Sequence, residues 1–534
     1  MTLPDCTLAV LRRRRTLPSA RRAAALDALI VLTLPNDAAF LRRLPEPGRW
    51  QGLERRDPPA ALSSRSTTLA NERQTYAALA YAKPGASSFE RLGLAGRVLR
   101  ELAVRKPGVI GVLVNDALGD AAQWYEALLT AAWTESFALP VYRSRRGHPW
   151  RLAALELYAA PALDLDRIAA SARAGNLVRA LTAMPPNRLD ASAYRRVLQQ
   201  LARRHRLAFT WYSQARLQRL GAGAFLAVAR GNAARTAGIA RLRWRGRSPG
   251  SRNTGGGRRP GRLRPSSPDV ALVGKGILFD TGGINLKPHR SMLDMHTDMA
   301  GSAVALATLV ALAELRAPVS VDAWLAISEN NIGPTAYRPQ EVVRASNGTT
   351  IQVIHTDAEG RMVLADTLAL AARTHPRLTI DFATLTGACV YALSERYSGV
   401  FTTRARLAAT LVAAGASSGE RVWNFPLDED FDSDLESPTA DIMQCSVDGK
   451  GDHILAARFL KRFIGDDNPW VHVDLSSATR RGGLAHVGTE ITGFGVRFTL
   501  ELLLTHKLPQ NELLRQVKPQ PPLPAKPQPI RRSP

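Results

Sequence analysis

Cysteine is scarce in this 534-residue chain: Cys6, Cys389 and Cys445 are the only three, far apart and without a CxxC pair. No even disulfide framework can be drawn from them, and such usage suits a reducing, cytoplasmic setting. Long hydrophobic runs are missing as well. None approaches the roughly 18–20 residues of a membrane span, so no membrane role is expected. The arginines at 12–15 are not directly followed by an apolar stretch and a small-residue cleavage site, which argues against a secretory signal. An Arg-rich, acid-poor start matches an organelle transit peptide in composition only. No HExxH helix, Walker A loop or GxGxxG fingerprint is found. Asp280-Thr281-Gly282 has the form of an aspartic-protease triplet, but no second copy exists to share a proton with it. The segment 415–419 fits a nucleophile elbow by letters, yet follows a helical run where a strand is required.

Acidic residues are under-represented: 46 Asp and Glu face 71 Lys and Arg, a net charge of +25. That excess first suggests nucleic acid or an anionic surface as partner. Its distribution argues otherwise. Residues 12–22 hold six Arg and no acid, residues 241–264 nine Arg and no acid, and residues 507–534 six basic residues and one Glu; together they carry +20. The second is a Gly/Pro/Arg insertion and the third a Pro-rich tail, neither able to bury a core. Solvated, weakly constrained sequence is the favoured reading of these arms, with nucleic-acid contact as the alternative.

The chain as a whole is 45% hydrophobic and 22% charged, the balance of a folded protein of two or three domains. Short apolar runs at 30–34, 109–114 and 137–142 read as strands, and 94–104 and 118–133 have helical spacing. A helix is expected at 166–183, ending at Pro185-Pro186. Further on, strands are expected at 270–273, 319–327, 351–355 and 378–382, with helices at 301–315 and 360–373. The fold class is α/β: a small N-terminal α/β domain (1–165, with the basic run 12–22) and a linker helix (166–186). A larger C-terminal α/β catalytic domain (187–508, with the insertion 241–268) follows, its mixed, mostly parallel sheet covered by helices. Residues 509–534 form the tail.

Two windows, 273–299 and 355–364, place acids, Lys and Arg at strand ends and Gly turns. Sites in open α/β sheets lie at the carboxyl ends of strands, and Lys275 and Asp280 are expected after one strand, Asp357 and Glu359 after another. Clustered carboxylates repel one another unless cations intervene, as in two-metal hydrolytic sites. A structural ion-pair network is the alternative; spacing alone leaves the two even.

The windows resemble the signatures of the leucyl aminopeptidase family. The carrying residues are His355-Thr356-Asp357-Ala358-Glu359-Gly360-Arg361, together with Gly274, Lys275, Gly276, Phe279, Asp280, Gly282, Gly283, Lys287 and Pro288. Ser328-Glu329-Asn330, Ala336-Tyr337-Arg338-Pro339 and the run from Ala383 to Ala388 match too. The resemblance implies a metal-dependent aminopeptidase that hydrolyses N-terminal residues with a water activated by two divalent ions, Zn²⁺ or Mn²⁺. It implies Lys275, Asp280, Asp298, Asp357 and Glu359 as metal ligands, Asp280 and Glu359 bridging. It implies Lys287 and Arg361 as catalytic residues, Arg361 holding a bicarbonate that shuttles the proton. Met295, His355, Thr384, Leu385 and Gly387 fall where the family meets substrate. Peptides with a free N-terminus, a homohexamer and a cytoplasmic location are further implications. Two departures stand out. His355 replaces the family's usual Asn, and Asp452-His453-Ile454-Leu455-Ala456-Ala457 replaces a small-residue pocket segment, so a leucine preference does not follow.

Overall fold

The computed structural model describes residues 4–56, 59–144, 149–246, 267–465, 467–510 and 514. The N-terminal part is built on six strands: β1 (Val10–Arg14), β2 (Ala28–Thr33), β3 (Ser64–Thr68), β4 (Tyr76–Tyr81), β5 (Val109–Val114) and β6 (Ala154–Tyr158). Their order is β1-β6-β5-β2-β4-β3, parallel except for the edge strand β3. The helices Ser88–Ala103 and Ala121–Glu135 cover one face through Leu92, Val98, Trp124 and Leu128. The first starts on a capping box between Ser87 and Glu90, which satisfies two backbone donors at once.

The expected strand at 137–142 is not formed. Pro140 interrupts that run and cannot donate to a ladder. The sheet instead takes Ala154–Tyr158, buried at every position. The basic run 12–22 is also no appendage. Arg12, Arg14 and Arg22 converge on the buried carboxylate of Glu156, and Arg13 donates to the carbonyls of Ala160 and Pro161. Burial alone would raise the Glu156 pKa, but bonds from Arg22, Arg14 and Tyr158 outweigh it and hold the carboxyl at about 2. A depressed acid stabilises the fold above its unfolded pKa near 4.5, and that stability is lost as pH falls through about 2. Glu156→Gln is therefore expected to cost about 1–3 kcal/mol at neutral pH, since the arginines are partly exposed. It should also flatten the acid limb of a pH–stability curve from chemical denaturation.

Eleven further strands follow. They are β7 (Ala208–Ser213), β8 (Gly238–Trp244), β9 (Val270–Asp280), β10 (Val321–Asn330), β11 (Val342–Arg344), β12 (Thr350–Gln352), β13 (Leu378–Ala383), β14 (Ser398–Thr402), β15 (Val422–Asn424), β16 (Ile442–Met443) and β17 (Trp470–Asp474). Eight form a mixed sheet in the order β15-β14-β17-β13-β9-β10-β8-β7, with β9 parallel to both neighbours at its centre. The helix Ala300–Glu314, apolar all round, packs beneath β9, β10 and β13. A Cβ on Gly274 would lie 2.5 Å from the Ser302 backbone, so glycine lets the helix press against the strand. By length and hydropathy the stretch His289–Glu314 passes as a membrane span, contrary to the expectation that no segment would, but 83% of its most apolar window is buried inside the fold.

Three expectations need correction here. β9 runs four residues past Gly276 to Asp280, so Lys275 lies within the strand rather than after it. The strand expected at 351–355 stops at Gln352 and joins a separate small sheet, β11-β12-β16. Beyond it, the Gln444 side chain takes the Ile354 and His355 N–H groups, replacing a neighbouring strand. The basic insertion starts later than 241: Arg241 and Arg243 belong to β8, and Arg241 pairs with Asp322 and lies over the Trp324 ring. Residues 247–266 and most of the tail, 511–513 and 515–534, lie outside the described residues.

The helix Leu165–Thr182 serves both parts. Ile168 and Ala172 enter the N-terminal core, while Ala170, Leu177, Val178 and Leu181 enter that of the larger sheet.

Candidate active site

Three segments bring the acids together at one edge of the central sheet. β9 supplies Lys275 and ends on Asp280; a short 3-10 turn, Met295–Thr297, delivers Asp298; the loop after β12 carries Asp357 and leads into the helix Glu359–Ala372. Carboxylate oxygens of Asp280, Asp357 and Glu359 lie within 4.8 Å of one another. Two ammonium groups sit among them. Lys275 Nζ is 2.8 Å from Asp298 and 2.9 Å from Glu359, and donates to the Thr384 carbonyl at 3.0 Å. Lys287 Nζ is 2.9 Å from Asp280 and 2.5 Å from Asp357.

The backbone permits this crowding at defined points. Gly282 has φ 85°, and a Cβ there would stand 3.0 Å from Asp357 Oδ1. Gly360 backs directly onto Lys275: an added Cβ would lie 2.6 Å from Nζ. Gly360→Ala must therefore push the amine aside, and metal affinity is expected to fall about 10- to 100-fold. Metal titration followed by elemental analysis reads this directly.

The electrostatics match a cation site. Burial, reinforced by the Asp280 charge, pushes Glu359 up to about 8. Burial also raises Asp298 to about 6. Burial would lower Lys275 and Lys287, but the surrounding acids outweigh it and hold both above the usual lysine range. Glu359 Oε2 is buried with no hydrogen-bond partner. Such an orphaned oxygen is expensive unless a cation meets it. The donor set, carboxylates with one lysine nitrogen, thus fits divalent ions.

The remaining expected residues are placed as follows. Thr384 Oγ1 donates to Asp298 at 2.6 Å, tying its loop to the cluster. The Leu385 N–H is held by Asp474, and Gly387 opens the helix Gly387–Leu393. Met295 begins the turn before Asp298 and is half-buried. His355 is exposed, and its Nδ1 accepts the Asp357 N–H at 3.3 Å. Arg361 is buried two residues past Glu359. Its Nη2 carries the Asp452 carboxylate at 2.7 and 2.9 Å, and its Nη1 donates to the Gln444 carbonyl at 3.2 Å.

Several site residues were given no role from the sequence. Asn330 donates to Asp280 and to the Thr356 carbonyl, and Tyr337 donates to that same carbonyl. Both stood in matching motifs, which was the available signal. Gln444 and Asp474 had none.

A model of the cytosol aminopeptidase family's catalytic domain matches residues 176–500. The chain belongs to the cytosol aminopeptidase family. Among its relatives, a probable cytosol aminopeptidase of Syntrophotalea carbinolica is 36% identical over 439 residues, 79% of this chain and 84% of the relative. One of Methylorubrum populi is 39% identical over 62% of this chain and 63% of the relative. The solved bottromycin maturation enzyme BotP, in complex with Mn, superimposes with a TM-score of 0.75 at 30% identity, covering 90% of this chain and 99% of BotP. This cytosol aminopeptidase family member is a metal-dependent peptide hydrolase, its divalent ions being the cofactors that the buried acids fit.

Proposed function

We propose that Lys275, Asp280, Asp298, Asp357 and Glu359 would hold two divalent ions. The observation that carries this reading is the convergence of Asp280, Asp357 and Glu359 within 4.8 Å around the partnerless Glu359 Oε2. When bound, the ions supply Lewis acidity, acidifying a water and polarising the scissile carbonyl. Lys287 places its ammonium where that carbonyl oxygen gains negative charge. Asn330 fixes the orientation of Asp280, and Thr384 that of Asp298. Met295, His355, Thr384, Leu385 and Gly387 line the path of the N-terminal residue. Confinement of the free amine there makes the enzyme an exopeptidase.

Mn²⁺ and Zn²⁺ both suit an oxygen-rich set with one nitrogen; the Mn complex of BotP favours the former. Chelation is expected to abolish hydrolysis of aminoacyl substrates, and Mn²⁺ or Zn²⁺ to restore it. Full activity in metal-stripped enzyme would overturn the reading. A cytoplasmic homohexamer is part of the same proposal, taken from the family resemblance; sedimentation velocity at micromolar concentration tests the assembly.

Nucleic-acid contact through the basic arms is the weaker reading. Arg12, Arg14, Arg22 and Arg241 are engaged with Glu156 and Asp322. Any such contact falls to the arginines beyond β8 and to the tail. Their deletion should then remove a steeply salt-dependent affinity and leave peptidase activity intact.

A further inference from the structure

Peptide hydrolysis needs a group that takes a proton from water and returns it to the departing amine. The acids of the cluster and the Lys275 amine are committed to the divalent ions, and Lys287 is itself cationic. Two other buried carboxylates of the central sheet are spent. Asp474 accepts from Leu385, Thr386 and the Thr386 hydroxyl, and Asp381 holds His472 and the Trp470 indole.

Asp452 is different. It is the first residue of the helix Asp452–Lys461, which packs against both the Glu359–Ala372 helix and the Gly387–Leu393 helix. The helix that starts at Asp452 thus abuts both the helix that begins at Glu359 and the helix that follows Thr384 and Leu385. Both oxygens rest on Arg361 Nη2. The arginine side chain is only 2% exposed, whereas that of Asp452 is 26% exposed. A fixed, buried cation therefore presents a carboxylate that solvent can reach.

We infer that Asp452 is the chain's own proton carrier, occupying the anion site on Arg361 that the family resemblance gives to bicarbonate. The inference rests on the aminopeptidase reading and deepens it. One Asp452 oxygen takes a proton from water as the water oxygen bonds to the scissile carbonyl carbon. It returns that proton to the amine nitrogen as the C–N bond breaks, and Asp452 ends as the carboxylate it began. Arg361 positions the group through its paired contacts to both oxygens. An external anion is unnecessary because its seat is taken.

The test uses full-length, metal-loaded enzyme in carbonate-free buffer with a panel of aminoacyl p-nitroanilides. Wild type should be insensitive to millimolar bicarbonate, and labelled bicarbonate should show no ¹³C line broadening with it. Asp452→Ala should lose about 10²- to 10⁴-fold in kcat with metal content unchanged. Added bicarbonate should bind this variant and restore much of the rate. Asp452→Asn keeps the volume and a bond to Arg361, so it should lose rate without rescue. Bicarbonate stimulation of wild type would overturn the inference, as would full activity of either variant without bicarbonate. A metal-loaded wild type inactive on every peptide would instead overturn the aminopeptidase reading, while bicarbonate binding would still report whether Asp452 fills the anion site.

Discussion

Asp280→Asn should lower kcat/KM by on the order of 10⁴-fold, with at least one metal equivalent missing from the purified protein. The side chain keeps its size, so packing is not the cause. Asp280 Oδ1 already accepts the Gly282 N–H and the Asn330 amide, each at 2.8 Å, while Oδ2 faces Lys287 at 2.9 Å. Those donors require oxygens on both sides. An asparagine must aim its NH₂ either at Asn330 or at Lys287, and it removes a negative charge from the proposed ligand set. Elemental analysis beside steady-state kinetics separates lost metal from misplaced metal. Unchanged metal stoichiometry with unchanged rate would remove Asp280 from the ligand set.

Lys287→Met should show the opposite pattern: about 10²- to 10³-fold lower kcat with metal content retained and KM little altered. Its side chain is 15% exposed, against 4% for Lys275, so the two ammonium groups are not equivalent. Lys275 is sealed behind Gly360 and the Thr384 carbonyl. Lys287, reached after the Gly282–Gly283 turn, is the more open to solvent. Methionine preserves the stem and removes only the charge and donors. If the metals leave with it, Lys287 is a structural counter-ion of Asp280 and Asp357 and not a stabiliser of the reacting oxygen.

Most of this site was legible because its acids crowd into two short windows, and crowded acids beside apolar strands have few physical explanations. Asp280, Asp357 and Glu359 come within 4.8 Å of one another, and Lys275 joins Asp298 to Glu359. What escaped reading was side-chain work done across long sequence distances. Gln444 caps backbone donors 89 and 90 residues away, which is why the strand at 351–355 stops short. Asp452 reaches Arg361 across 91 residues; periodicity carries no trace of such a pair. The α/β class was visible from alternating apolar runs. The N-terminal sheet was harder because β1 is VLRRR, a strand whose charges are offset by one buried glutamate on its neighbour.

The helix Leu165–Thr182 has a mechanical consequence. Asn176 and Arg179 donate to the carbonyls of Trp133 and Thr134 at the end of the Ala121–Glu135 helix, while Arg173 pairs with Glu314 at the end of the helix under β9. One rod thus carries load between the N-terminal layers and the strand that holds Lys275 and Asp280. Backbone amides of Leu165–Thr182 and β9 should exchange with solvent in a single slow cooperative unit, and nicking the chain within that helix should loosen the catalytic edge far from the cut.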